Sequence, residues 1–145
     1  MTNKTEGVFS EDEKAAMRER SKELALQAKM AKNKEAGEKA ILEAIEKMPE
    51  PDKSMAMQVH NIVKATAPDL WPKTWYGMPA YATKEGKVVC FFQVASKFKY
   101  RYSTLGFQED AHLDDGNMWP ASFALIKITD AEKSKIIELV KKAIA

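Results

Sequence analysis

A chain of 145 residues, 45% apolar and 30% charged, suits one domain around one main core, and its formal net charge of +2 falls well short of the basic balance of a dedicated nucleic-acid binder. The single cysteine, Cys90, excludes an intramolecular disulfide and a cysteine-built metal cluster. Met1 to Ser10 lacks the apolar stretch of a secretory signal, and no apolar run approaches the ~20 residues that span a bilayer, so a cytoplasmic protein without membrane attachment is expected.

In chain order, the first third reads as helix. Ser10 and Glu13 form a capping box, with Glu11 and Asp12 in the positive first turn. A thin apolar stripe of Met17, Leu24 and Ala28 follows, which places this stretch at the surface. Asn33 and Gly37 interrupt the pattern, and Ala40, Ile41, Ala44, Ile45 and Met48 restore it, so two helices joined by a kink are predicted before Pro49-Glu50-Pro51. A third helix carries Met55, Val59, Ile62, Val63 and Thr66 on one side until Pro68 stops it. Strands are then predicted to begin near Lys73, Ala80, Lys87, Tyr100 and Ser122. The run Lys87 to Phe92 suits a central strand covered on both faces, and Asp115-Gly116 marks a turn. Thr129 and Glu132 open a last helix with Ile136, Ile137, Val140, Ala143 and Ile144 as its buried stripe. Helices, then sequential strands, then a helix predict an α+β fold with a mainly antiparallel sheet of about five strands and the third and last helices on one face.

The segment Trp71-Pro72-Lys73-Thr74-Trp75-Tyr76-Gly77-Met78-Pro79-Ala80-Tyr81 stands apart. Its prolines fix their own φ and extend the residues before them, while Gly77 supplies a positive φ, so the backbone is shaped in advance of any partner. Trp75 to Tyr81, followed by Gly86-Lys87 and an apolar aromatic strand, resembles the YdhG-like family of small domains. The resemblance runs from about Ala40 to the C-terminus, and the start around Glu13 to Arg20 resembles an extension found in part of that family. It implies one domain over 1–145, with a helical extension over 1–35 and a core over 36–145. It also implies an antiparallel sheet flanked by helices, similar to the frataxin architecture, and some relatives are described as frataxin-like iron chaperones.

Other residue types with chemical potential have simpler readings. Cys90 sits in Val88-Val89-Cys90-Phe91-Phe92, where burial raises a thiol's pKa and quiets it. His112 with Asp114 and Asp115 could offer metal ligands, but Asp114-Asp115-Gly116-Asn117 is also an ordinary exposed turn, and His60 reads as a partly buried structural histidine. The acids Glu19, Glu23, Glu35, Glu38, Glu43 and Glu46 are interleaved with Lys and Arg, which describes a solvated helix face. Lys97-Phe98-Lys99-Tyr100-Arg101-Tyr102 alternates as an amphipathic strand would, with aromatic and basic faces.

A concave ligand site is expected, bordered by Trp75, Tyr76, Met78, Tyr81 and Trp119, with Lys97 or Arg101 at its rim, although the same rings could instead fill the core. No nucleophile or acid–base pair stands out, so a non-enzymatic binding protein for a small molecule or a partner protein is expected, without cofactor, assigned metal or nucleic acid. Iron binding and delivery of the frataxin kind is the alternative. The sequence leaves oligomeric state open.

Overall fold

A computed structural model describes residues 10–145, with their side chains apart from those of Glu23 and residues 26–32. The reading of Met1 to Phe9, and the place of Ala28 in the first stripe, lie outside the described residues. Four helices and five strands follow in the order α1 (Glu11–Glu46), α2 (Asp52–Thr66), β1 (Trp71–Trp75), β2 (Met78–Ala82), β3 (Val88–Gln93), α3 (Ala95–Phe98), β4 (Ser103–Phe107), β5 (Ser122–Leu125) and α4 (Asp130–Ile144). The chain divides into two compact units, one up to Glu35 and one from Ala36 to Ala145. No helix among the described residues is long and apolar enough to cross a membrane.

In the first unit, the start of α1 is fixed by reciprocal hydrogen bonds. The Ser10 backbone N–H donates to Glu13 Oε1 and the Glu13 N–H donates to Ser10 Oγ, both over 3.1 Å. These bonds favour the charged carboxylate and hold Glu13 below its ordinary pKa. Met17 and Leu24 are half exposed, as a thin stripe implies.

The second unit is an α+β fold built on one antiparallel sheet whose spatial order, β1-β2-β3-β4-β5, repeats the chain order. Each strand turns back beside its predecessor, which short connections favour. Pro72, Tyr81, Cys90 and Phe107 align across four strands on one face, and Phe92, Leu105 and Phe123 align in the next row. This face meets Ile41 and Ile45 of α1, Met55, Val59, Ile62 and Val63 of α2, and Ile136 and Val140 of α4, in one hydrophobic core. The helices pack here because their apolar residues recur every three or four positions, matching the stripe that a sheet face can bury. Helix α4 opens with the capping box of Thr129 and Glu132.

Three local expectations are corrected. The two kinked helices of the first third are one element, α1, running through Asn33 and Gly37. Gly37 is a close-approach residue: a Cβ there would overlap the carbonyl oxygen of Pro72 in β1. Residues 97–102 do not form a strand. Ala95–Phe98 is a helical turn, Lys99 is left-handed at φ 57°, and β4 begins only at Ser103. Strand β3 is central but is covered by helices on one face only, since Cys90 and Phe92 are buried inward while Phe91 is half-buried on the other side.

The turn α3 is tethered to α2. The buried carboxylate of Asp52 accepts the Ser96 backbone N–H over 3.3 Å and also the Ser96 hydroxyl. A buried carboxylate must be satisfied in this way, and the consequence is that the cationic segment after β3 has a fixed origin.

Candidate binding site

Strands β1 and β2 are joined by the tightest strand-to-strand connection among the described residues, with Trp75 paired to Met78 and only Tyr76 and Gly77 between them. Both residues have positive φ, 51° and 77°, the geometry that lets a two-residue turn follow the natural twist of a hairpin. Asn or Gly normally fills the first of these positions, because a left-handed conformation costs other residues about 1–2 kcal/mol. Here a tyrosine occupies it and projects outward, 80% exposed. An aromatic side chain held in solvent on an unfavourable backbone is the kind of outlier that points toward binding.

On the helix side of this turn lies a groove of about 460 Å³. Met48, just beyond α1, with Met78, Pro79, Phe92 and Val94, gives it apolar walls. Lys47 and Lys97 supply two cations and Glu43 one anion. The Lys97 ammonium donates to the Tyr76 carbonyl oxygen over 3.4 Å, and a Cβ on Gly77 would overlap that ammonium, so glycine serves both the turn and the approach of the lysine.

Trp75 and Phe91 lie on the opposite side of the sheet, and further ring and cation contacts follow along the segment after β3. Phe91 packs on Trp75 with centroids 5.2 Å apart, Trp75 meets Tyr76 at 5.1 Å, Lys97 lies 5.7 Å from the Phe98 ring, and Phe98 lies 6.2 Å from Tyr100. Arg101 stands 5.4 Å over Tyr102.

The structure therefore gathers Trp75, Tyr76, Met78 and Lys97 at one place, the first two on one side of the turn and Met78 with Lys97 at the groove. It does not add Tyr81 or Trp119. Tyr81 is 2% exposed within the core, where burial raises its phenol far above the ordinary range. Trp119 is a half-buried ring packed against the core just before β5, at the far edge of the sheet. Inward parity on β2 sends Tyr81 into the core, and distance along the strand order separates Trp119. Phe91, which joins the surface, was missed because its neighbours made the whole run look buried; the signal available was Gly106, paired opposite it and too small to cover it.

The polar residues singled out have structural partners. His60 is 1% exposed, more buried than expected, with Nδ1 2.9 Å from the Tyr81 hydroxyl and Nε2 3.1 Å from Glu38 Oε2. His112 Nδ1–H donates to the Ala145 carbonyl oxygen over 2.7 Å, and its backbone N–H donates to the Ala143 carbonyl oxygen, so this residue ties down the end of α4. Asp114 and Asp115 are exposed, and among the described residues no group of three or more His, Cys, Asp or Glu could hold a metal ion. The Cys90 thiol is buried and pushed up to about 12 by desolvation.

A second groove, about 630 Å³, runs between β5 and α4 past Phe123, Leu125, Ile136 and Leu139. Its rim alternates Glu132, Lys135, Glu138 and Lys142, so charges of both signs cancel along it. No family model, curated protein or solved structure matches the chain.

Proposed function

We propose that this chain is a non-enzymatic binding protein, that its site is the groove beside Gly77-Met78-Pro79, and that it belongs with the YdhG-like domains that the segment from Trp75 to Tyr81 resembles. The observation carrying the reading is the pairing of a preformed apolar groove with two lysines at its edge. Ligand sites are commonly apolar concavities with a few placed polar groups. Lys47 and Lys97 outnumber Glu43, which favours a small ligand with an apolar body and one acidic group. A rigid two-residue hairpin keeps the wall in place before binding and so lowers the ordering cost.

Filling the groove tests the reading. A set of medium-chain and aromatic carboxylates screened by thermal shift and native mass spectrometry should yield a ligand of the intact chain. Ala44→Phe, which builds into the groove wall, should abolish that binding, and Lys47→Gln should weaken it about tenfold, the effect of one charge-assisted contact. If no acid in the set raises the unfolding temperature, or if Ala44→Phe binds as well as the parent chain, the groove is not the site.

A further inference from the structure

The charge of the whole chain conceals a segregation. Between Leu70 and Gln108 lie six cations, Lys73, Lys84, Lys87, Lys97, Lys99 and Arg101, against the single carboxylate of Glu85, so this stretch carries +5 while the complete chain carries +2. All but the last strand of the sheet fall inside this stretch, and β5 has no charged residue.

On the sheet face turned away from the helices, Lys73 begins a row without acids. Lys73, Ala80, Phe91, Gly106 and Ser122 form one row across all five strands, and Gln93, Thr104 and Ala124 form part of the next. The row brings no acid. Ala80 and Gly106 flank Phe91, and a Cβ on Gly106 would overlap the Phe91 ring, so the ring lies down over the glycine on the sheet. Trp75 abuts it, Tyr76 continues the line at the hairpin tip, and Lys97, Phe98 and Tyr100 extend it past the sheet. Tyr76, Phe98 and Tyr100 are all exposed.

We propose that this face binds single-stranded nucleic acid, with bases stacked on Phe91, Trp75 and Tyr76 and the phosphates drawn to Lys73, Lys97, Lys99 and Arg101. The occupant follows from two requirements met together. A polyanion matches a row without carboxylates, and a line of contacting rings, half-buried at Phe91 and Trp75 and in solvent at Tyr76, suits flat apolar groups that a duplex keeps hidden between its pairs. An acidic protein would satisfy the charge but leaves the line of rings without partners. RNA and DNA share the stacking and phosphate chemistry. The proposal is independent of the groove on the helix side of the same turn, although Lys97 borders both.

Fluorescence anisotropy of the full chain with labelled oligouridylate, oligothymidylate and a DNA duplex of equal length tests it. Both single strands should bind at least tenfold more tightly than the duplex, and affinity should fall with salt. Tyr76→Ala should weaken binding about tenfold or more, the scale of one lost base stack, without moving the unfolding temperature. Lys97→Gln should reduce the salt slope by about 0.7, the value for one phosphate contact on a single strand. Ala44→Phe, which blocks the groove, should leave oligonucleotide affinity unchanged, so failure of the groove reading and failure of this one are separable. A preference for oligouridylate over oligothymidylate identifies RNA as the target, and equal affinity identifies the shared chemistry. No binding at low salt, equal binding to duplex, an unaltered affinity in Tyr76→Ala, or loss of binding in Ala44→Phe overturns the proposal.

Discussion

His60 and Tyr81 meet inside the second unit with Nδ1 and the phenol oxygen 2.9 Å apart, and the other ring nitrogen of His60 faces the Glu38 carboxylate at 3.1 Å. Lys64 and His60 hydrogen-bond the Glu38 carboxylate and hold its pKa below the ordinary value, so it accepts and Nε2 carries a proton toward it, while Nδ1 shares a hydrogen bond with the Tyr81 hydroxyl, which burial keeps protonated. A buried polar chain with every member satisfied fixes helix α2 against β2 and the end of α1.

Tyr81→Phe removes one hydroxyl and leaves Nδ1 of a buried ring without a partner. The expected cost is about 1–3 kcal/mol in urea denaturation, the desolvation penalty of an orphaned polar group. Ligand and oligonucleotide affinities should stay at parent values, because Tyr81 touches neither surface.

Glu38 imposes a pH dependence whose sign follows from its shift. The folded-state pKa lies below the ordinary carboxylate value, so the stabilisation is present above the unfolded carboxylate pKa and disappears as pH falls through the depressed folded value. Glu38→Gln should therefore lose about 1 kcal/mol at neutral pH. The gap between variant and parent should close in acid, which denaturation series at neutral and acidic pH would reveal.

Cys90 should report global unfolding. Its side chain is buried between the sheet and the helices and its thiol is pushed up to about 12, so little thiolate exists in the folded state near neutral pH. Labelling by an aromatic disulfide reagent should be slow in the native protein, and its rate should rise with urea in step with loss of helix. Rapid labelling without denaturant would contradict the burial.

Gly37→Ala inverts the usual helix rule. Alanine in a helix interior is favoured over glycine by about 1 kcal/mol. Here the new Cβ would overlap the carbonyl oxygen of Pro72, backbone against backbone, with no flexible side chain to yield. A net loss of about 1–3 kcal/mol is expected, the range for overpacking, together with reduced amide protection in β1. A variant more stable than the parent would show that α1 can shift away from the strand.

Element types were largely legible because they rest on periodicity: the apolar spacings of α2 and α4 and the capping boxes at Ser10 and Thr129 hold, although Ile144, read as part of the buried stripe of α4, is exposed where the helix ends. The errors lie where tertiary contact overrides local preference. Gly37 looked like a helix breaker because its neighbour, Pro72, is remote in sequence. Residues 97–102 alternated as a strand would, yet the tether from Ser96 to Asp52 winds the chain into a turn instead. At the candidate site, Trp75, Tyr76, Met78 and Lys97 were readable from the rigid hairpin, whereas Tyr81 was sent inward by strand parity and Trp119 kept away by strand order. The acid-free row was invisible in net charge, since Glu109, Asp110, Asp114 and Asp115, between β4 and β5, offset the cations that precede them.

The agreement between chain order and strand order shapes how this protein is made. Each new strand emerging from a ribosome finds its partner in the strand just completed, with no gap to search across and no segment to thread, an arrangement of short-range contacts that favours fast folding. The inward side of that growing sheet is another matter. Ile136, Val140 and Ala143 arrive last, so the nascent sheet keeps an oily flank open beside Leu105 and Leu125 until the final helix is synthesised. That interval between the last strand and the last helix is when a half-made chain is most exposed to sticking to its neighbours.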